Sequence, residues 1–218
     1  MVEQGGRGTF ISFEGVEGSG KSTQANALAR TLEERGHDVT LTREPGGTAL
    51  GERLRDILLD LGERGMRPEA ELFLYMASRA EHVASVIEPV LARGGIVIAD
   101  RYGDASVAYQ GGGRSLGASL VESLNEVATR GVKPDVTFLL DLGPDEGLER
   151  LSGRGSGGRD RIESEDLAFH ERVRKAYLRA AEREPSRFVV LDGTLDPDEL
   201  ARTILVRVDR LLGTGTEG

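Results

Sequence analysis

One stretch near the N-terminus constrains this chain more than any other: Gly15-Val16-Glu17-Gly18-Ser19-Gly20-Lys21-Ser22 satisfies GxxxxGK[ST] at every fixed position. The motif carries meaning only between a strand and a helix, and its flanks supply both. Thr9–Glu14 is a short β-rich run, and over residues 22–35 Ala25, Leu28, Ala29 and Leu32 recur on one helical face. Glycines let the backbone wrap until its N–H groups converge on phosphate oxygens, and the helix end adds partial positive charge. Lys21 can then reach the β- and γ-phosphates of ATP, and the Ser22 hydroxyl can hold Mg²⁺. The expected ATP-binding set is Gly15, Val16, Glu17, Gly18, Ser19, Gly20, Lys21, Ser22 and Thr23. The chain has three lysines, Lys21, Lys133 and Lys175, against many arginines, so finding one inside the motif argues against a chance match.

Downstream, helix-like and strand-like segments alternate. Residues 39–42 read as a strand, Glu44-Pro45-Gly46-Gly47 as a tight turn, and residues 50–61 and 69–91 as helices, the second interrupted near Pro89. Ile96–Asp100 is a short apolar run suited to a strand covered on both faces. A helix over 116–129, a strand over 136–140, helices over 145–151 and 164–182, a strand over 188–191 and a helix over 198–212 complete the series. Five strands alternating with helices predict an α/β fold with a five-stranded, mostly parallel sheet flanked by helices on both faces. Residues 9–212 are expected to form one domain with flexible termini at 1–8 and 213–218. The Gly/Ser-rich residues 152–158 break the pattern, and a mobile lid is expected over about 152–163.

Composition removes several function classes. A net charge of −9 is unsuited to a nucleic-acid polymer, and the absence of cysteine excludes a disulfide frame or a thiolate nucleophile. No apolar run is long enough to span a membrane, and no secretory signal is evident, which fits a cytoplasmic protein. Asp100-Arg101-Tyr102-Gly103 matches the DxxG of a GTPase switch, but neither asparagine, Asn26 or Asn125, precedes a lysine, so no guanine-reading NKxD loop exists. The carboxyl ends of parallel strands line the ligand crevice, which places Asp100 to approach Mg²⁺ and Arg101 to grip a phosphate. Arg154, Arg159 and Arg161 in the expected lid, with Arg150 just before it, can deliver cations to a transferring phosphoryl group. His37, His82 and His170 are not at metal-ligand spacings and are expected at or near the surface.

Taken together, residues 13–23 (FEGVEGSGKST), 42–48 (TREPGGT), Asp100-Arg101-Tyr102 and 108–114 (AYQGGGR) resemble bacterial thymidylate kinases, in that family's order. The resemblance implies a cytoplasmic homodimer that transfers the γ-phosphate of ATP to dTMP, giving dTDP, with Mg²⁺ as cofactor. By position it implies Lys21, Arg101, Arg154 and Arg159 as catalytic cations, and Ser22 and Asp100 at the metal. Glu17 would accept a hydrogen bond from the sugar 3′-hydroxyl. Arg55 and Arg101 would hold the acceptor phosphate, with Arg43 and Pro45 shaping that end of the site. Tyr75 would stack on the base, four residues before Arg79 at its edge, and Ser106, Tyr109 and Gln110 would contact base and sugar. Tyr75 stands where phenylalanine is usual, and Gly18 where some relatives carry arginine, the cation then coming from the lid. A kinase for another nucleoside monophosphate or a deoxynucleoside is the alternative, and a non-enzymatic P-loop switch is the reading from a different class.

Overall fold

A computed structural model describes residues 7–63, 65–152 and 160–214. The chain runs β1 (Thr9–Glu14), α1 (Lys21–Glu34), β2 (Val39–Arg43), α2 (Ala49–Leu59), α3 (Pro68–His82), α4 (Glu88–Ala92), β3 (Ile96–Asp100), α5 (Gly103–Ser106), α6 (Ala118–Thr129), β4 (Val136–Asp141), α7 (Pro144–Ser152), α8 (Leu167–Arg183), β5 (Phe188–Asp192) and α9 (Pro197–Leu211). The strands form one sheet in the order β2-β3-β1-β4-β5, and every pairing is parallel. The expected "mostly parallel" sheet is therefore wholly parallel.

Strand alternation distributes the core. Ile11, Phe13, Ile98, Phe138 and Leu140 pack beneath α1 and α9, meeting Leu28, Leu32, Ile204 and Val208. The opposite face of β1 carries Phe10, Ser12 and Glu14. Phe10 packs with Val83, Ile87 and Tyr102. Fully buried side chains such as Phe10, Phe13 and Phe138 contribute about 1.5–3 kcal/mol each.

Two local departures have physical causes. The long helix predicted over 69–91 is interrupted by a π-helical turn at Val83–Ile87, where the Glu88 N–H reaches back five residues to the Val83 carbonyl. Pro89 has no N–H to give and its ring crowds the preceding turn, so the helix widens just before it. Residues 107–113, unassigned from sequence, continue α5 as a π-helical segment packed on α8. Its glycines serve close approach and not a turn: a Cβ on Gly112 would lie 2.6 Å from Ala176 Cβ, and one on Gly113 2.6 Å from the Phe169 ring. Gly8, grouped with the loose N-terminal residues on composition, is buried and donates its N–H to the Leu91 carbonyl at 2.9 Å.

Candidate active site

Parallel register brings three strand ends level: Arg43 on β2 pairs with Asp100 on β3, and Asp100 with Phe13 on β1. The order turns outward in both directions from β1, so the crevice opens where the loop after β1 faces the end of β3. That loop enters α1 through Gly20, whose φ of 93° is left-handed and which offers no side-chain cap. The first turn of α1 holds no acidic residue. The leading N–H groups of α1 thus keep their positive end for an anion.

The loop's shape depends on a contact the sequence does not announce. Gly18 has φ of 73°, and a Cβ there would sit 2.2 Å from the Gly147 carbonyl oxygen of α7. Conversely, a Cβ on Gly147 would sit 2.2 Å from the Glu17 carbonyl oxygen. Two backbones touch here, which accounts for glycine at both positions 18 and 147. Gly147→Ala is expected to displace the loop and lower kcat about 10²-fold while the far-ultraviolet circular dichroism stays native. Activity within threefold of the parent would show that the contact can relax.

Lys21 is buried and folds back onto the loop, donating to the Val16 carbonyl at 2.6 Å and the Ser19 hydroxyl at 3.2 Å. Burial, with the nearby Arg101 charge, pushes its ammonium down to about 8. The Ser22 hydroxyl donates to an Asp100 carboxylate oxygen. Adjacent hydroxyl and carboxylate oxygens at a helix start suit a hard cation completed by phosphate oxygens and water, so both residues fit Mg²⁺. Among the described residues no cluster of three or more histidine, cysteine or acidic side chains forms a metal cage.

Arg101 bridges the two sides of the crevice. Its φ of 71° turns the side chain back over the loop. Nη1 donates to the Gly15 carbonyl at 3.0 Å and the Tyr177 hydroxyl at 3.2 Å, and Nη2 to Glu17 Oε1 at 3.0 Å. The guanidinium also lies 4.8 Å from the centre of the Tyr109 ring. Glu17 Oε1 accepts a second bond from the Tyr109 hydroxyl at 2.6 Å. Burial pushes the Glu17 carboxyl up, but His170, the Arg101 and Lys21 charges and Tyr109 outweigh it and hold the group at about 2. Beneath them, Glu14 accepts from the Tyr102 N–H and the Tyr177 hydroxyl, both at 2.7 Å. Burial and the Asp104 charge push Glu14 up to about 8, which lessens the negative charge under the crevice at neutral pH.

A cleft of about 750 Å³ runs from Lys21 and Ser22 past Arg101 to α2 and α3. Glu17, Arg43, Pro45, Arg55, Tyr75, Arg79, Arg101, Ser106, Tyr109 and Gln110 all line it, as do Gly18 and Asp100. Gly15, Val16, Ser19, Gly20 and Thr23 belong to the loop or first helical turn without lining the cleft walls. Arg55 donates to the Pro45 carbonyl at 3.0 Å, while Arg43 pairs with the exposed Glu52 at 2.8 Å, so α2 holds the turn after β2 in place. Arg79 is 1% exposed and heavily committed: Nε donates to Glu44, Nη1 to Ser106 and Asn125, and Nη2 to the Tyr102 carbonyl. A guanidinium has five N–H donors, so these four bonds leave one Nη2 hydrogen.

The expected arginine cluster divides. Arg154 and Arg159 lie outside the described residues. Arg161 is not a solvated lid cation but is buried, donating to Glu71 Oε2 at 2.6 Å and the Leu58 carbonyl at 2.7 Å. Arg150 is spent on Glu146 and the Gly193 carbonyl. The buried Glu71 also takes Gln110 and the Nε and Nη2 of Arg114, so one carboxylate ties α3 to two other segments. The expectation for the histidines fails at two of three: His82 and His170 are buried, each beside a buried glutamate, Glu44 and Glu17 respectively. Gly147, His170 and Tyr177 are the site residues that sequence reasoning missed, because each acts through a neighbour distant in the chain.

A family model described as thymidylate kinase matches residues 13–204. Among curated proteins, the chain is 48% identical over 214 residues to a thymidylate kinase of Nitratidesulfovibrio vulgaris (strain DP4), covering 96% of both chains. It is 52% identical over 196 residues to that of Oleidesulfovibrio alaskensis (strain ATCC BAA-1058 / DSM 17464 / G20), covering 88% of this chain and 92% of the relative. Among solved structures it superposes on thymidylate kinase from Ehrlichia chaffeensis with a TM-score of 0.76 at 34% identity, covering 93% of this chain and 99% of that one.

Proposed function

The chain belongs to the thymidylate kinase family, and from that premise we propose how the cleft performs the family's reaction. The enzyme transfers the γ-phosphate of ATP to dTMP, giving ADP and dTDP. An acceptor phosphate oxygen attacks the γ-phosphorus in line as the bond to the β–γ bridging oxygen breaks, and that oxygen leaves with ADP. No strong general base is needed, because the attacking oxygen is already anionic; the protein aligns two polyanions and offsets their repulsion.

In this reading Lys21 and the leading N–H groups of α1 hold the β- and γ-phosphates. Ser22 and Asp100 hold Mg²⁺, which neutralises phosphate charge when bound. Arg101 and Arg55 hold the acceptor phosphate, with Arg43 and Pro45 behind them. Tyr75 stacks on thymine, and the remaining N–H of Arg79 donates to a single acceptor on the base edge beside Ser106 and Gln110. Glu17 accepts from the sugar 3′-hydroxyl beside Tyr109. Arg154 and Arg159 supply further cations to the transferring group. One observation supports this above the others: ten residues spread over positions 17 to 110, assigned to the acceptor, line the same cleft as Lys21 and Ser22. Arg55 and Arg101 favour an acceptor that already bears phosphate over a nucleoside.

We also read residues 9–212 as one domain and the enzyme as a cytoplasmic homodimer. Phe73 on α3 and Leu120 and Val127 on α6 are 59%, 50% and 77% exposed, an apolar face suited to a second copy. Light scattering that gives a monomer mass at micromolar concentration would count against the dimer. No described helix is long and apolar enough to cross a membrane.

The direct test is ADP production from ATP with each common nucleoside monophosphate. dTMP is expected to give the highest kcat/KM, by about 10²-fold or more over CMP, whose 4-amino group opposes the Arg79 donor. Equal rates with all acceptors, or ADP formation no faster than with water, would contradict the assignment.

Lys21 makes ATP binding pH-dependent. Its ammonium, held down to about 8 in the free enzyme, is raised again when phosphates surround it. Binding therefore takes up a proton above pH 8, and ATP affinity falls by up to about tenfold per pH unit there. Calorimetry in buffers of different ionisation enthalpy reads the uptake directly. A flat profile between pH 8 and 10, or the same slope in Lys21→Met, would remove Lys21 as its source.

A further inference from the structure

His170 enters none of the roles above. It lies in the first turn of α8, 1% exposed, with Phe169 edge-on at 5.3 Å. Its Nδ1 is 3.2 Å from Glu17 Oε2. The pair is close enough for His170 to help hold the Glu17 carboxyl down but is too poorly aligned for a full hydrogen bond, so both ring nitrogens and Glu17 Oε2 are buried without a well-formed partner. Buried polar atoms are nearly always paired, and two orphans facing each other at 3.2 Å call for a physical reason. The other carboxylate oxygen, Oε1, is already held by Arg101 and Tyr109. A carboxylate fixed at one oxygen alone is free to tilt about it, and only a donor at the second oxygen sets its plane. His170 is placed to be that donor: a small rotation of Glu17, such as a ligand hydroxyl arriving at the carboxylate would cause, brings Nδ1–H and Oε2 into line.

We propose that His170 is a positioning residue for acceptor selection, closing an Nδ1–H···Oε2 bond when the nucleotide is seated and so aiming Glu17 at the sugar 3′-hydroxyl. The inference rests on the reading of Glu17 as the acceptor of that hydroxyl, and adds what makes its recognition strict. A structural role alone would be met by any side chain that fills the same space beside Phe169.

The test compares dTMP with its 3′-deoxy analogue in the full-length enzyme, as wild type, His170→Phe and His170→Asn. Phenylalanine keeps the bulk and loses the donor, whereas asparagine places an amide N–H near the position of Nδ1. His170→Phe is expected to raise KM for dTMP about tenfold with kcat within threefold, as fits one hydrogen bond to a charged group. His170→Asn is expected to restore KM to within about threefold of wild type, and the three enzymes should be alike on the 3′-deoxy substrate. If the wild type does not distinguish the two nucleotides, Glu17 does not read the hydroxyl, and the parent reading fails together with the proposal. If the wild type does distinguish them, but His170→Phe matches it or loses equally on both substrates, the proposal alone is overturned. A measurement on wild type covers the case of a misfolded variant. In ¹⁵N NMR, the His170 Nδ1 signal should shift on adding dTMP and stay unmoved by the 3′-deoxy analogue; no shift with either overturns the proposal.

Discussion

Arg101→Ala is expected to lower kcat/KM for dTMP on the order of 10³-fold, with most of the loss in kcat. The guanidinium reaches the loop carbonyl of Gly15, the Glu17 carboxylate and the Tyr177 hydroxyl from a single position at the end of β3. On the proposed mechanism, removing it takes away the fixed cation between donor and acceptor phosphates; it also loosens Glu17, which then keeps only Tyr109 on Oε1. Arg101→Lys should recover little, because a point charge cannot reproduce a planar fork that bonds three partners and faces the Tyr109 ring. The fold should survive, since the side chain is partly exposed and Glu14, Tyr102 and Tyr177 beneath it keep their bonds to one another. Circular dichroism with steady-state kinetics checks both halves. A loss below tenfold would show that the charge at position 101 is not on the reaction path.

Glu44→Ala is expected to cost about 3–5 kcal/mol of unfolding free energy, because it strands buried cationic and polar partners. Glu44 Oε2 takes Arg79 Nε at 2.7 Å and Oε1 faces His82 Nδ1 at 2.9 Å, while His82 Nε2 meets the Thr42 hydroxyl at 2.7 Å. Arg79 and His82 are 1% and 0% exposed, so water cannot replace the lost carboxylate. For a chain of this size the melting temperature should fall by roughly 10 °C. The sign with pH also follows. Burial pushes the Glu44 carboxyl up, but Arg79 and His82 reverse this and hold it below its usual 4.5. Its contribution is therefore present above that value and fades as the pH drops through and below it, and Glu44→Ala should lose part of that acid sensitivity. Denaturant titration at pH 7 and pH 4 reads both effects. A change below 1 kcal/mol at pH 7 would mean the network relaxes without the carboxylate.

What the sequence disclosed depended on whether a feature is local. The loop around Lys21 is legible because spacing, strand and helix lie in one continuous stretch, and Ile96–Asp100 because an unbroken apolar run suits a strand covered on both faces. The acceptor-side assignments come only from resemblance to a family, since Arg55, Tyr75 and Arg79 carry no pattern that names a nucleotide. The failures are tertiary. Residues 107–113 take no element from the sequence, because Gly112 and Gly113 make sense only once α8 is packed against them. Arg161 looks like a lid cation until Glu71, ninety positions away, is found to claim it. His82 and His170 look like surface residues because the glutamates that keep them company come from β2's end and the phosphate loop. Gly147 carries no local signal at all; its requirement is set by the Glu17 carbonyl.

On the proposed mechanism one continuous cleft holds both nucleotides, with Lys21 at one end and Arg79 at the other. That arrangement is tested most directly by calorimetric titration with a compound joining adenosine and thymidine through five phosphates. One molecule should bind per chain, displaced competitively by ATP and by dTMP separately. Binding that ATP abolishes and dTMP leaves untouched would place the two nucleotides in separate sites and contradict it.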